Sequence, residues 1–220
     1  MTASVPDFRL NRVLSKPLTS FLLHLPLTPN HVTLLSLGFG ISAGLLFSRG
    51  AYLSSLLGAA CYELACVLDN CDGEIARAKN LGSVFGGWFD LCADFLTDLS
   101  LFAGIGWAVV KSGAYPRLAP VALALCLLGA VMHFLLVIAE KNRGFGPASF
   151  NNPHPDVKYR ERFVFVVFDA LREGDASWLV LAFAVAGQTF SLLWFAAVYM
   201  QVLWVSAAFL NLKYLLGAKK

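Results

Sequence analysis

The sequence predicts an all-α membrane protein: a polytopic bundle of six transmembrane helices with an amphipathic helix in the interface at its N-terminal end. Three observations carry that reading. Of the 220 residues, 58% are hydrophobic and only 14% charged, where a soluble domain carries about 25% charged residues. Apolar runs recur at the length needed to cross a bilayer, about 20 residues. Lys and Arg are concentrated on alternate connections between those runs.

The first element is the segment Phe8–Leu25, with hydrophobic residues at helical spacing and Arg9, Arg12 and Lys16 on the other side. That pattern suits a helix lying in the membrane interface, and an ordinary flexible tail is the alternative. Six spans follow. The first is His31–Phe47, after Thr28-Pro29-Asn30, where Asn30 is the expected cap. In it Ser36, Gly40 and Gly44 recur every four residues, which lets a neighbouring helix approach closely. The second, Tyr52–Ala78, and the third, Ser83–Val110, carry aspartates at their facing ends. The fourth is Leu118–Ala139. The fifth, Ala176–Ala186, is short unless it extends back through Asp175. The sixth is Thr189–Leu212, and only Gly187-Gln188 separates it from the fifth, so a tight antiparallel pair is expected. Between the fourth and fifth spans, Glu140–Gly174 reads as a loop, with a short interfacial helix near Arg162–Leu171. The expected organisation is an N-terminal segment over 1–30, a membrane domain over 31–213 and a tail over 214–220.

An even number of spans puts both termini on one side. Fourteen of the Lys and Arg residues fall on that side, and only Arg49, Lys111 and Arg117 on the other. The termini are therefore expected to be cytoplasmic. The first 30 residues lack the charged, apolar and small-residue succession of a cleaved signal peptide. A net charge of +3 does not point to nucleic acid. The five cysteines include no CxxC pair and lie in or beside apolar runs, so they read as small buried hydrophobes rather than disulfides or zinc ligands.

The informative stretch is Asp69 to Asp94. A charged side chain within a membrane helix costs at least about 2.5–3.5 kcal/mol, and several carboxylates together also repel one another. Asp69 and Asp72 are three residues apart and share one helix face; Asp90 and Asp94 are four apart and share another. With the two helices as antiparallel neighbours, four carboxylates can converge. Oxygen ligands without His or Cys suit hard divalent cations such as Mg²⁺, Mn²⁺ or Ca²⁺, and two such ions are the pattern of phosphoryl transfer. Gly73, Gly86 and Gly87 leave backbone open beside the carboxylates. Arg77, one turn beyond Gly73, can grip a phosphate bidentately. The plainer alternative is that the carboxylates merely pair with Arg77 and Lys79 at the membrane surface.

The pattern Asp69-x2-Asp72-Gly73-x2-Ala76-Arg77-x8-Gly86-x3-Asp90-x3-Asp94 resembles the signature of the CDP-alcohol phosphotransferases at all eight fixed positions. Leu27-Thr28-Pro29-Asn30-x2-Thr33 and the six spans look like the same family. The resemblance implies an integral membrane enzyme, usually a homodimer, that moves a phosphate-linked group from a CDP-activated donor to an alcohol hydroxyl and releases CMP. Carried over by position, it makes Asp69, Asp72, Asp90 and Asp94 the ligands of two Mg²⁺ or Mn²⁺ ions. Asp94 is also implied as the general base, and Asp72, Gly73, Ala76, Arg77 and Gly86 as the lining of the CDP site. The run Cys71–Arg77 with Phe85–Asp90 looks most like the inositol-phosphate-using branch. The donor is then CDP-diacylglycerol or a CDP-linked polar alcohol, and glycerol phosphate or serine are the alternative acceptors.

A phosphorylated acceptor needs cations. Among Arg143, Lys158, Arg160, Arg162 and Arg172, the residues nearest the helix ends are Arg143 and Arg172, which are the candidates. Asp98, one turn beyond Asp94, is expected to hydrogen-bond a neighbouring helix or extend the polar cavity. Glu63 and His133 read as satisfied interior residues. Two rival classes remain: an ion- or proton-coupled transporter, and a non-catalytic scaffold. A transporter does not explain the fixed Gly and Arg positions, and its sites tend to lie near the midplane.

Overall fold

The computed structural model describes residues 10–142 and 176–217. Seven helices occur among them: α1 (Leu10–Leu22), α2 (Pro29–Phe47), α3 (Tyr52–Ala78), α4 (Val84–Ser112), α5 (Leu118–Asn142), α6 (Ala176–Val185) and α7 (Thr189–Gly217). Five of these, α2 to α5 and α7, are long and apolar enough to cross a membrane. Their outward faces carry large exposed hydrophobics, among them Leu45, Leu57, Trp107, Val121 and Val198. A surface of that kind is stable against lipid rather than water, and the chain is an integral membrane protein.

The helix boundaries follow from local chemistry. Pro29 opens α2, where a missing N–H is harmless. The cap is Thr28 rather than the expected Asn30, because Pro29 already fits the first helical position. The Thr28 N–H is taken up by His31 Nδ1 at 3.3 Å. Ser83 caps α4 by accepting the Gly86 N–H at 2.9 Å. The expected fifth crossing is represented by α6, 10 residues long. At 1.5 Å per residue it reaches about 15 Å, half a hydrocarbon core. The expected interfacial helix near Arg162–Leu171 lies outside the described residues.

Two expected neighbour relations differ from what forms. α6 packs chiefly on α3, and α7 on α5, so α6 and α7 are not a tight pair. Gly187, at φ +68°, reverses the chain in the left-handed conformation open to glycine, but the helices diverge. Tyr52 at the start of α3 donates to the Val185 carbonyl at 3.0 Å and holds the end of α6 there. Likewise α3 and α4 make little backbone contact with each other; both pack on α2. The reason is side-chain size on α2. Ser36 donates to the Ala65 carbonyl of α3 at 2.9 Å. Gly40 and Gly44 lie where any β-carbon would collide with Thr97 and Ser100 of α4. A β-carbon at Gly104 would in turn strike the Gly44 backbone. α2 is thus a wedge, and α3 and α4 are splayed around it.

α1 is bolted on by a stripe of small polar residues. Asn11, Ser15 and Thr19, at four-residue intervals, are buried. Ser15 and Thr19 donate to the two oxygens of Glu74 on α3, at 2.9 and 2.5 Å. Asn11 donates to Ser177 at 3.0 Å and accepts from the Trp178 indole at 2.8 Å, both on α6. The outward face carries Leu10, Val13, Leu14 and Phe21, the apolar side expected of an interfacial helix. Lys79 donates to the Leu25 and Leu27 carbonyls at 3.1 and 3.0 Å and ties down the α1–α2 connection.

Because the α2–α4 contact is backbone on backbone, Gly104→Ala is expected to destabilise the bundle by about 1–3 kcal/mol through overpacking. Gly38→Ala, where nothing lies within 4 Å, is expected to leave the thermal midpoint in detergent nearly unchanged. Equal midpoints for the two variants would contradict the wedge.

Candidate active site

The splay of α3 and α4 sets the geometry of the aspartates. Asp69 and Asp72 stand in the last turns of α3, Asp90 and Asp94 in the first turns of α4, so the two pairs meet at one end of the bundle. One carboxylate oxygen from each of Asp69, Asp72 and Asp90 lies within 4.8 Å of the other two. Asp94 is outside this group of three and next to it, facing Asp69.

Each carboxylate has a different environment. Asp72 is buried, and Thr33 on α2 donates a short hydrogen bond to its Oδ2. Thr33 is itself held by the Pro29 carbonyl at 3.2 Å. Asp90 Oδ1 is buried with no hydrogen-bond partner among the described residues. An uncompensated buried anion is costly. The cluster therefore has the chemistry of a site completed by a cation: three converging carboxylates, one held by Thr33 and one with an oxygen that has no hydrogen-bond partner among the described residues. Asp69 and Asp94 also line a cavity of about 580 Å³ between the helices. Asp94 is exposed, and it lies on the wall of that cavity.

The expected CDP residues lie beside the carboxylates but are not on the cavity wall. The Arg77 guanidinium folds back over Gly73, with Nη1 3.4 Å from where a β-carbon would sit. Ala76 is half-buried on the same helix. At Gly86 a β-carbon would meet Ser83 Oγ at 3.0 Å and Asn30 Oδ1 at 3.2 Å. The site thus has two sides: a glycine- and arginine-lined side around Gly73, Arg77 and Gly86, and a cavity side around Asp69 and Asp94. The acceptor candidates Arg143 and Arg172 lie outside the described residues, as do Lys158, Arg160 and Arg162.

The structure adds residues to which the sequence reading gave no role in the site. Lys141, at the end of α5, donates to the Gly87 carbonyl at 2.5 Å and stacks over the Trp88 ring at 4.6 Å. Its charge reaches Asp90. Asn30 and Thr33 join the site from the start of α2. Arg12 and Asn11 bring α1 to the cavity wall. Of the other polar residues weighed, Asp98 and His133 line the cavity, whereas Glu63 is buried away from it.

Comparison with known proteins places this chain in a wider group. A family model described as CDP-alcohol phosphatidyltransferase matches residues 26–211. A phosphatidylinositol phosphate synthase of Corynebacterium glutamicum is 31% identical over 119 residues, 54% of this chain and 53% of that protein. A bifunctional IPC transferase and DIPP synthase of Archaeoglobus fulgidus is 29% identical over 181 residues, 80% of this chain and 34% of that protein. The match therefore spans about half the length of the first relative and a third of the second. The crystal structure of Mycobacterium tuberculosis phosphatidylinositol phosphate synthase with CDP-DAG bound shares the fold. Its TM-score is 0.59 at 22% identity, covering 89% of this chain and 92% of that one. The same protein in complex with manganese and citrate gives 0.59 at 22% identity, covering 88% and 87%. With the family model matched across α2 to α7, the chain belongs to the CDP-alcohol phosphatidyltransferase family.

Proposed function

We propose that the protein is a membrane enzyme that transfers a phosphate-linked group from a CDP-activated donor to an alcohol hydroxyl and releases CMP. The observation that carries this is the convergence of Asp69, Asp72 and Asp90 beside Asp94 at the edge of a cavity, in a chain that matches the family over residues 26–211. The names of the relatives support an inositol-phosphate-type acceptor. The CDP-DAG in the structural neighbour supports a CDP-diacylglycerol donor. Cytoplasmic termini and a cytoplasmic site follow from the positive-inside count. A homodimer rests on the resemblance, and the domain limits 31–213 on the apolar spans.

Asp69, Asp72 and Asp90, with Asp94 beside them, would hold Mg²⁺ or Mn²⁺. Such ions, when bound, neutralise phosphate charge and make CMP a better leaving group. The protein's own groups do the rest. Arg77 holds a donor phosphate against the bare backbone of Gly73, with Ala76 and Gly86 along the same side. Asp94 faces the cavity and takes the proton of the acceptor hydroxyl. The acceptor oxygen then bonds to phosphorus as the bond to CMP breaks. Arg12 on the cavity wall and Lys141 are cations near the site, and Arg143 and Arg172, outside the described residues, are the further candidates for a phosphorylated acceptor.

The test is CMP release by purified protein with CDP-diacylglycerol, Mg²⁺ and, in turn, inositol phosphate, glycerol phosphate, inositol and serine. Release is expected with inositol phosphate. Asp94→Asn is expected to lower turnover at least 10²-fold, as for loss of a general base, with metal-dependent CDP binding retained. Full turnover in that variant would remove the base assignment, and absence of CDP binding in the wild type would remove the family activity.

Thr33→Val should weaken Mn²⁺ binding by about 10–100-fold, the usual effect of losing a group that orients a ligand. Titration of free Mn²⁺ by paramagnetic resonance measures it. Unchanged affinity would mean that the Thr33–Asp72 bond fastens α2 to α3 and does nothing for the ions.

A further inference from the structure

The carboxylate stripe of α4 continues past the residues used above. Asp90, Asp94 and Asp98 recur every four residues, so Asp98 stands on the same face, about 6 Å further along the helix than Asp94. It lines the same cavity as Asp94. Tyr62 on α3 reaches across the gap and donates its hydroxyl to Asp98 Oδ1 at 2.9 Å. Tyr62 is also seven residues before Asp69 on its own helix, about 10 Å from it along the axis. The pair therefore bridges the two splayed helices one level below the converging aspartates.

Its surroundings change character with depth. The wall of the same cavity carries the further polar side chains His133 and Tyr199, and along α4 beyond Asp98 it turns apolar with Leu101 and Ile105. Along α4 the polar lining ends at Asp98. A carboxylate held there, within a membrane-spanning segment, incurs the insertion cost of a charge. A Tyr62 bond alone would fasten α3 to α4 equally well with an uncharged partner.

We infer that Asp98, oriented by Tyr62, is an acceptor-positioning residue that receives hydroxyl groups of a polyhydroxylated acceptor while Asp94 engages the hydroxyl that reacts. This deepens the reading of the site as a CDP-alcohol phosphotransferase and rests on it. A fixed carboxylate oxygen accepts hydroxyl hydrogens strongly, and one whose orientation is set by a second group does so with direction. The tyrosine hydroxyl, having donated its hydrogen, keeps lone pairs that face the same space. A pair of this kind recognises a ring polyol, which offers several hydroxyls around one body. It does little for a short acceptor, such as glycerol phosphate, that ends near Asp94. Selection then comes from groups left unpaired when the wrong acceptor binds.

The test is calorimetric binding of inositol phosphate and, separately, of glycerol phosphate to the full protein in detergent with CMP and Mg²⁺. Wild type, Asp98→Asn and Tyr62→Phe are compared, and thermal midpoints are recorded. Direct binding reads the acceptor site whether or not turnover occurs, so its failure is distinct from failure to release CMP. The wild type is expected to bind inositol phosphate more tightly than glycerol phosphate. Asp98→Asn is expected to weaken inositol phosphate about tenfold, the loss of a charge-assisted hydrogen bond, and to leave glycerol phosphate within twofold. Tyr62→Phe is expected to weaken inositol phosphate in the same direction and by less, because Asp98 remains. No preference in the wild type, or equal weakening of both acceptors in Asp98→Asn, overturns the inference. So does a drop in thermal midpoint with acceptor affinities unchanged, which assigns the pair to helix fastening alone.

Discussion

Mutual repulsion among carboxylates is the constraint around which the rest of the structure is arranged. Asp69, Asp72 and Asp90 bring oxygens within 4.8 Å of one another, in surroundings where charge is poorly screened. Two features relieve this. α2 is wedged between α3 and α4 by Gly40, Gly44 and Gly104, so the two aspartate-bearing helices meet through side chains and not along their backbones. Thr33, carried by the same wedge, supplies a hydrogen bond to Asp72. What the fold does not supply is a partner for Asp90 Oδ1 among the described residues, and that is the part of the balance left to a bound cation. One helix thus sets the spacing of the cluster, fixes one of its ligands and opens the cavity beside it.

The second organising feature is the attachment of α1. An interfacial helix needs only one apolar face to stay at a membrane surface. Here it has a second, polar face, in which Asn11, Ser15 and Thr19 engage α6 and the Glu74 carboxylate on α3. Glu74 sits between Gly73 and the Ala76–Arg77 pair. The anchor of α1 and the glycine–arginine side of the site are therefore adjacent on the same turns of α3. Movement of α1 would be felt at Arg77, and Arg12 and Asn11 would carry it to the cavity wall.

Much of this was legible in the sequence, for definable reasons. Five spans announced themselves because an apolar run of about 20 residues has few other uses. The aspartate cluster was legible because charge is expensive in such a run. The Ser36, Gly40 and Gly44 stripe was recognisable as a packing face, and it is one. Helix adjacency was not legible: short connections suggested that α3 paired with α4 and α6 with α7, but side-chain volume chose other neighbours. Asn11, Ser15 and Thr19 gave no signal, since small polar residues at four-residue spacing look alike whether they face water or a glutamate on a neighbouring helix. Lys141 was hidden by the positive-inside rule, which expects a lysine at that helix end whatever it does.

The account turns on whether the converging carboxylates hold divalent cations. Anomalous diffraction from crystals of the protein grown with Mn²⁺ addresses this most directly. An anomalous peak is predicted among Asp69, Asp72 and Asp90, with carboxylate oxygens within about 2.0–2.6 Å, the range of hard cations, and it should be absent from Asp90→Asn crystals. Ordered carboxylates with no peak at saturating Mn²⁺, or a peak unaffected by that substitution, would contradict the account.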